Sequence, residues 1–527
     1  MRIRENLSKA TSTDEDVPVR RVGPLIAGIL VVSMIAFVLS AWVSGVLYDN
    51  DTWFILNIGR DVFAHGIPHE EQFGMFSGVN YVAQQWLFAC LLWGLYDTLG
   101  AVGPAMLLYV LWGLVLLVAW QVIKGGHRLA GRPFDDAAKL NTTYALVAFT
   151  LLMMPLFKLN PRVFDILYIL LSALLWQRYV EGRRPVTLLV FVPMAALYIN
   201  LHGALWPLAF MVPFMGMLLQ WGLSKAERLS VFGVLWLMLA ATLLNPYSID
   251  MHLYIVRSMG VLSTVGIHEL QPPNIFHFQG IVAIALIILL SLYVYAKVKA
   301  GKTGEINVMW FVILLVADLS ALMQARNYSL LLPFAMIFLG SVDLRSRWLV
   351  NLGVAKNCLN CIMIAMIFGG IPVLSIVQRQ SNQFNYADLD RISQIIESGY
   401  VEAAADAGSD KWAEARSRTT ILCYNSSPYL EFRYGYRCFA DTRFEIWSDR
   451  LNGKYDYLSQ VNDIGAAKNV RQILDQYRFD YVLTDSDIDP TLYENAGYTQ
   501  VYQSEYDQTR RLFVRNDYEG VPTWVRE

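Results

Sequence analysis

Between residues 24 and 377 the chain returns repeatedly to apolar runs close to the ~20 residues that cross a bilayer as a helix. No other feature restricts its fold as much. The runs lie at 24–48, 102–123, 142–157, 164–180, 186–201, 204–222, 229–244, 278–297, 306–323, 328–342 and 352–377. Composition points the same way: 55% of the 527 residues are hydrophobic and only 16% charged, where a soluble domain has about a quarter charged. Mean hydropathy is +0.38. The pattern predicts a polytopic α-helical membrane protein of about 11 spans. A net charge of −2 gives no basic field for nucleic acid. The first run is too long for a removable leader and lacks its small-residue cleavage context, so it reads as a retained anchor.

Orientation follows from Lys/Arg placement in short loops. Residues 1–23 carry Arg2, Arg4, Lys9, Arg20 and Arg21, whereas 49–84 holds Arg60 alone. This places the N-terminal tail in the cytoplasm and the first loop, 49–101, outside. The segment 85–99 decides the rest. If it lies in the interface as an amphipathic helix, the Lys/Arg groups at 124–139, 183–184, 225–228, 297–302 and 345–347 all fall in the cytoplasm. Trp86, Trp93 and Tyr96 suit that depth. The odd span count then carries residues 378–527 outside.

In that last segment the apolar runs stop and acids outnumber bases. Strand-like runs at 419–424, 436–441, 480–485 and 510–515 alternate with helical patterns such as 469–479, which predicts a small extracytoplasmic α/β domain. Of five cysteines, Cys423 and Cys438 fall on neighbouring strands. They are a possible disulfide or, equally, two small core residues. No zinc-type ligand spacing occurs.

With this topology the polar residues at span ends gather on the outer side. Asp49 and Asp51 open the first loop, which continues through Glu70, Glu71, Gln84 and Gln85. Lys158 and Arg162 flank "LNP", Asn200 and His202 lie in "YINLHG", and Asn245 lies in "LLNPYS". His252, Arg257, His268, Glu269 and Gln271 follow, then Arg326 and Asn327. Ionisable groups at a span end are costly unless they face a cavity or one another. Together they could bind an anionic headgroup and run acid–base chemistry. Each has a blander reading as well: a solvated loop start for the aspartates, helix-ending Asn-Pro at 160–161 and 245–246, a turn residue for His202, and arginines snorkelling to headgroups. His65, His69 and His127 read as surface residues.

The run "DNDTWFILNIGRDVFAHGIPHEEQFGMFSGVNYVAQQWLF" resembles the first outer loop of bacterial membrane proteins in the GT-C glycosyltransferase superfamily. "YINLHG", "LLNPYS", "HELQPP" and "QARN" follow in the order expected there, and "YLEFRYGYRCFADTRFEIW" is similar to the outer domain of those chains. The resemblance implies a GT-C-like fold and transfer of a sugar from a polyprenyl-phosphate donor to a glycan, lipid or protein acceptor. It places Asp51 at the family's acidic position, proposed there to deprotonate the acceptor or hold a divalent metal, with Asp49 as a second candidate. Arg162, Lys158 and Arg326 are candidates for the phosphate; His202, Asn245, Glu269, Gln84 and Gln85 are candidates for further substrate contacts. In one respect the chain departs from the pattern. An imidazole is expected shortly after Trp53 and Phe54, and Ile55 and Leu56 stand there instead. A transporter or flippase of a lipid-linked saccharide, or an inactive glycan-binding scaffold, are the competing readings, and the oligomeric state is open.

Overall fold

The computed structural model describes residues 48–153, 158–262, 270–343, 386–398, 416–423, 425–453, 456–485 and 487–518. The expected spans 24–48 and 352–377 lie outside these, as do His268 and Glu269. In the other nine expected spans the described residues are largely helical.

The chain enters α1 (Asn50–His65) through a capping box. The Asp49 carboxylate accepts from Thr52 N at 2.9 Å while the Thr52 hydroxyl accepts from Asp49 N. Helix α2 (Trp86–Leu99) packs directly on α1. Gly59 allows the close crossing, since a Cβ there would sit 2.2 Å from Ala89 O. Next come α3 (Val102–Leu129), α4 (Asp136–Met153), α5 (Arg162–Gly182), α6 (Pro185–Leu189), α7 (Phe191–Leu201), α8 (Leu208–Leu219) and α9 (Lys225–Ala241). Helices α10 (Ile249–Leu262), α11 (Phe278–Lys299), α12 (Val308–Met323) and α13 (Tyr328–Leu339) complete the helical part.

Among the described residues, α3, α5 and α11 are long and apolar enough to cross a bilayer, and several other apolar helices are shorter. Their surroundings differ. Helix α5 carries Trp176 and Tyr179 into the core, whereas only 11% of the apolar window of α11 is covered by protein. Ile281, Ile288, Leu289 and Leu292 of α11 face outward, a surface that water would penalise and lipid would not. His127, expected at the surface, is instead fully buried near the end of α3, its ring 5.5 Å from that of Phe134. The apolar side of α3 turns it inward, against the polar character that suggested exposure.

The C-terminal unit is built on a mixed five-stranded sheet of order β2-β1-β3-β5-β4. The strands are β1 (Thr420–Leu422), β2 (Arg437–Cys438), β3 (Tyr481–Asp485), β4 (Tyr498–Gln503) and β5 (Arg510–Arg515). β1 pairs in parallel with β2 and β3; β5 runs antiparallel to β3 and β4. Alternation divides the two faces. Ile421, Leu483, Leu512 and Val514 meet Leu389, Ile392 and Ile396 of α14 (386–398). Leu422, Val482 and Phe513 instead join the larger core with α16 (Tyr457–Gly465) and α17 (Val470–Tyr477). Between β1 and β2 runs α15 (Ser427–Tyr434). Cys423 and Cys438 are both buried, with their sulfurs 3.2 Å apart across the β1–β2 pairing.

Residues 66–85 join the two parts. On the helical side, the Tyr247 hydroxyl donates to Pro68 O at 2.7 Å and accepts from Ala83 N at 3.2 Å. Gly203 N donates to Gln84 O at 2.8 Å, and a Cβ on Gly203 would sit 2.9 Å from that oxygen. On the sheet side, Met75 N donates to Cys438 O at 3.0 Å, and Phe76 stacks on Tyr457 with ring centres 3.7 Å apart. Trp53 of α1 also packs against this unit, between Tyr386, Tyr429 and Phe432.

Candidate functional site

A cavity of about 540 Å³ opens where these parts meet. The start of α1 supplies Asp51, Phe54 and Ile55, and the joining loop supplies Tyr81, Gln84 and Gln85. The turn before α5 brings Asn160 and Arg162, and the turn after α7 brings His202. Gln324, Arg326 and Asn327 come from the turn between α12 and α13; Thr442, Arg443 and Glu445 come from the C-terminal unit. Three guanidinium groups, two carboxyl groups and one imidazole thus line one space, a donor set suited to an anionic ligand.

Each of these segments is held by its own backbone chemistry. Asn160 Oδ1 accepts from Arg162 N at 3.2 Å, fixing the first turn of α5. Asn200 ties two neighbours, accepting from Trp86 Nε1 at 2.8 Å and donating to Leu244 O at 2.8 Å. His202 Nδ1 lies 2.7 Å from Asp165 Oδ1, which also accepts from the Tyr198 hydroxyl at 2.7 Å. Asp165 and Tyr198 are fully buried, and His202 is nearly so.

Arg443 is the most enclosed charge in the wall. Its guanidinium donates to Glu71 Oε1 at 2.7 Å and to Asp441 Oδ2, and it lies over the rings of Phe73 and Tyr81. Glu71 is fixed in turn by Phe73 N and Gly74 N at 2.7 and 2.9 Å. Burial, with Asp441 and Glu71 nearby, pushes the Glu431 carboxyl well above the usual range. Loss of water also raises Glu445, which is partly buried at the cavity wall. One buried cation therefore serves two carboxylates, and the next two carboxyl groups resist ionisation.

The expected residues do not all meet. Asp51, Gln84, Gln85, Arg162, His202 and Arg326 share the cavity. Asp49 does not line it: its carboxylate caps α1 and pairs with Lys158 Nζ at 3.1 Å. Asn245 is turned into its own loop, donating to Thr242 O and Ser248 O and accepting from Tyr247 N. Glu269 lies outside the described residues. Ile55 and Leu56, which stand where an imidazole is expected, are buried; His202 brings an imidazole to the cavity from another segment.

Sequence reasoning missed Asp165, Thr442, Arg443 and Glu445. A carboxylate three residues after Arg162, at the head of an otherwise apolar span, was the available signal for Asp165. The other three sit within the quoted "ADTRFEIW", but nothing in their spacing tells a cavity wall from a solvated loop. Among the described residues no three His, Cys, Asp or Glu side chains group as a divalent-ion site requires.

No family model matches the chain, and no curated protein matches it. Solved structures do. The Archaeoglobus fulgidus oligosaccharyltransferase tethered to an acceptor peptide containing the NVT sequon aligns with a TM-score of 0.51 and 12% identity, over 94% of this chain and 74% of that one. The archaeal oligosaccharyltransferase AglB from the same organism, in complex with an inhibitory peptide and a dolichol-phosphate, aligns at 0.51 and 11%, over 88% and 69%. At such identity the likeness is one of fold alone: the chain shares the overall fold of those oligosaccharyltransferases.

Proposed function

We propose that the protein is a membrane glycosyltransferase that moves a sugar from a polyprenyl-phosphate donor to a glycan, lipid or protein acceptor. The carrying observation is the meeting of Asp51, Arg162, His202 and Arg326 in one cavity beside apolar helices. Breaking a glycosyl–phosphate bond leaves a second negative charge on the phosphate, and guanidinium groups meet that charge bidentately. Arg162 and Arg326 take this role. Asp51 is the carboxylate on the acceptor side of the cavity, placed to act on the acceptor during transfer. Lys158, engaged with Asp49, is not needed for it.

In this reading the N-terminal tail lies in the cytoplasm, and the cavity and C-terminal unit lie outside, where a lipid-borne donor reaches Arg162 from the membrane plane. The fold likeness supports the reading, because one neighbour is held with a dolichol-phosphate and another with an acceptor peptide. The test uses full-length protein in lipid nanodiscs. Polyprenyl phosphate should bind and polyprenol of equal chain length should not, and Arg162→Ala with Arg326→Ala should abolish the difference. Equal binding of the two lipids by wild-type protein would defeat the donor assignment.

A further inference from the structure

The residue that gives His202 its orientation was absent from the sequence reading, and it changes what the imidazole can do. Asp165 Oδ1 has two partners, the Tyr198 hydroxyl and His202 Nδ1, both at 2.7 Å. An ionised carboxylate only accepts, so Nδ1 carries the proton of the neutral ring and Nε2 keeps its lone pair. The ring cannot readily swing away. His202 N donates to Tyr198 O at 2.8 Å, the next residue is tied to Gln84 O, and Tyr168 lies against Tyr198 with ring centres 4.4 Å apart. No described residue hydrogen-bonds Nε2, although His202 lines the cavity.

From this geometry we infer that His202 Nε2 is the base that takes the acceptor's proton, with Asp165 as its positioning residue. The inference rests on the glycosyl-transfer reading. As the acceptor hydroxyl oxygen bonds to the anomeric carbon, its proton passes to Nε2. The carbon–oxygen bond to the phosphate breaks, and its electron pair leaves on the polyprenyl phosphate beside Arg162 and Arg326. Asp165 stabilises the imidazolium so formed, and the proton is then released to water. Asp51 orients the acceptor and opposes the positive charge that develops on the sugar. The titratable and charged groups sharing the space are Asp51, Glu445, Tyr81, Arg162, Arg326 and Arg443, with Asp165 and Tyr198 behind the ring.

Full-length protein in nanodiscs is assayed for release of polyprenyl phosphate from polyprenyl-phosphate glucose, mannose and galactose, in detergent extract of its host's membranes as acceptor source. Wild-type kcat should fall through an inflection on the acid side, where protonation of the base stops proton transfer. His202→Gln should lower kcat by roughly 10²-fold or more, remove that inflection and leave the Kd for polyprenyl phosphate within about twofold. Asp165→Asn should lower kcat with KM nearly unchanged and displace the inflection, which a purely structural role would not do; Asp165→Glu should recover part of the loss. A His202→Gln turnover within about threefold of wild type, or an unchanged inflection in that variant, overturns the base assignment alone. Failure of the wild-type protein to bind polyprenyl phosphate or to release it overturns the transfer reading and this inference with it.

Discussion

Glu71 and Arg443 lie 372 residues apart in sequence and 2.7 Å apart in space, their side chains 0% and 3% exposed. Removing one partner of a buried ion pair strands a charge and costs about 3–5 kcal/mol. Arg443→Met should therefore lower the melting temperature of the solubilised protein by several degrees. The triple variant Glu71→Gln/Asp441→Asn/Arg443→Met should recover much of the loss, because no buried charge is then left alone. Thermal unfolding monitored by tryptophan fluorescence measures both.

Glu431 gives a pH dependence whose sign can be worked out. Burial, then Asp441 and Glu71, raise its carboxyl, with Arg443 opposing. The folded chain holds this proton more tightly than the unfolded chain. The resulting stability is complete below the ordinary glutamate value, about 4.3, and is lost as pH climbs toward the raised folded value. Glu445 adds to the trend in the same direction. Glu431→Gln should raise the melting temperature at pH 8, by a few degrees for roughly 1 kcal/mol, and change it little at pH 4. Melting curves from pH 4 to 8 show whether the two lines diverge.

Asp49 and Asp51 should separate cleanly. Asp49→Ala removes a cap and should cost about 1 kcal/mol, while Asp49→Asn, still a good cap, should cost less. Neither should abolish glycosyl transfer. Asp51→Asn should leave stability nearly untouched and suppress transfer by roughly 10²-fold. Paired melting and turnover measurements on the three variants decide it.

Tyr247→Phe removes one hydroxyl and two hydrogen bonds, those with Pro68 O and Ala83 N. The expected cost is about 1–3 kcal/mol. Hydrogen exchange should quicken in residues 66–85 before it quickens in α3 or α5.

Topology can be read by labelling. Ala130→Cys is preferable to a change at Gly131, whose φ of +65° suits glycine. With Cys90 and the other native cysteines replaced, an impermeant maleimide should reach Ala130→Cys only in opened membranes. Labelling of sealed cells would invert the proposed orientation.

How far the sequence carried depended on the kind of signal. Apolar runs gave the helices directly, because a helix surrounded by apolar groups needs nothing else to specify it. β4 was missed, since Tyr498–Gln503 is an edge strand whose polar Thr499, Gln500 and Gln503 mask the alternation. The two aspartates, two residues apart, take different places for a geometric reason. Asp49 is the extended N-cap, its carboxylate drawn back to Thr52 N, whereas Asp51 lies in the first turn of α1 and lines the cavity. The cavity's long-range members were harder still. Nothing local in "ADTRFE" announces that its arginine will meet Glu71 of the first loop, because that pairing exists only once both parts have folded.

The edge strand β2 carries a consequence for how the protein matures. The carbonyl of Cys438 is satisfied by Met75 N of the joining loop, and Arg443 draws one of its counter-charges from that same loop. The C-terminal unit is thus synthesised after the helical part, yet it is completed by a strip of chain made hundreds of residues earlier. A chain whose early loop has failed to thread would display an open strand edge and a stranded cation. Docking of the C-terminal unit thus depends on correct placement of residues 66–85.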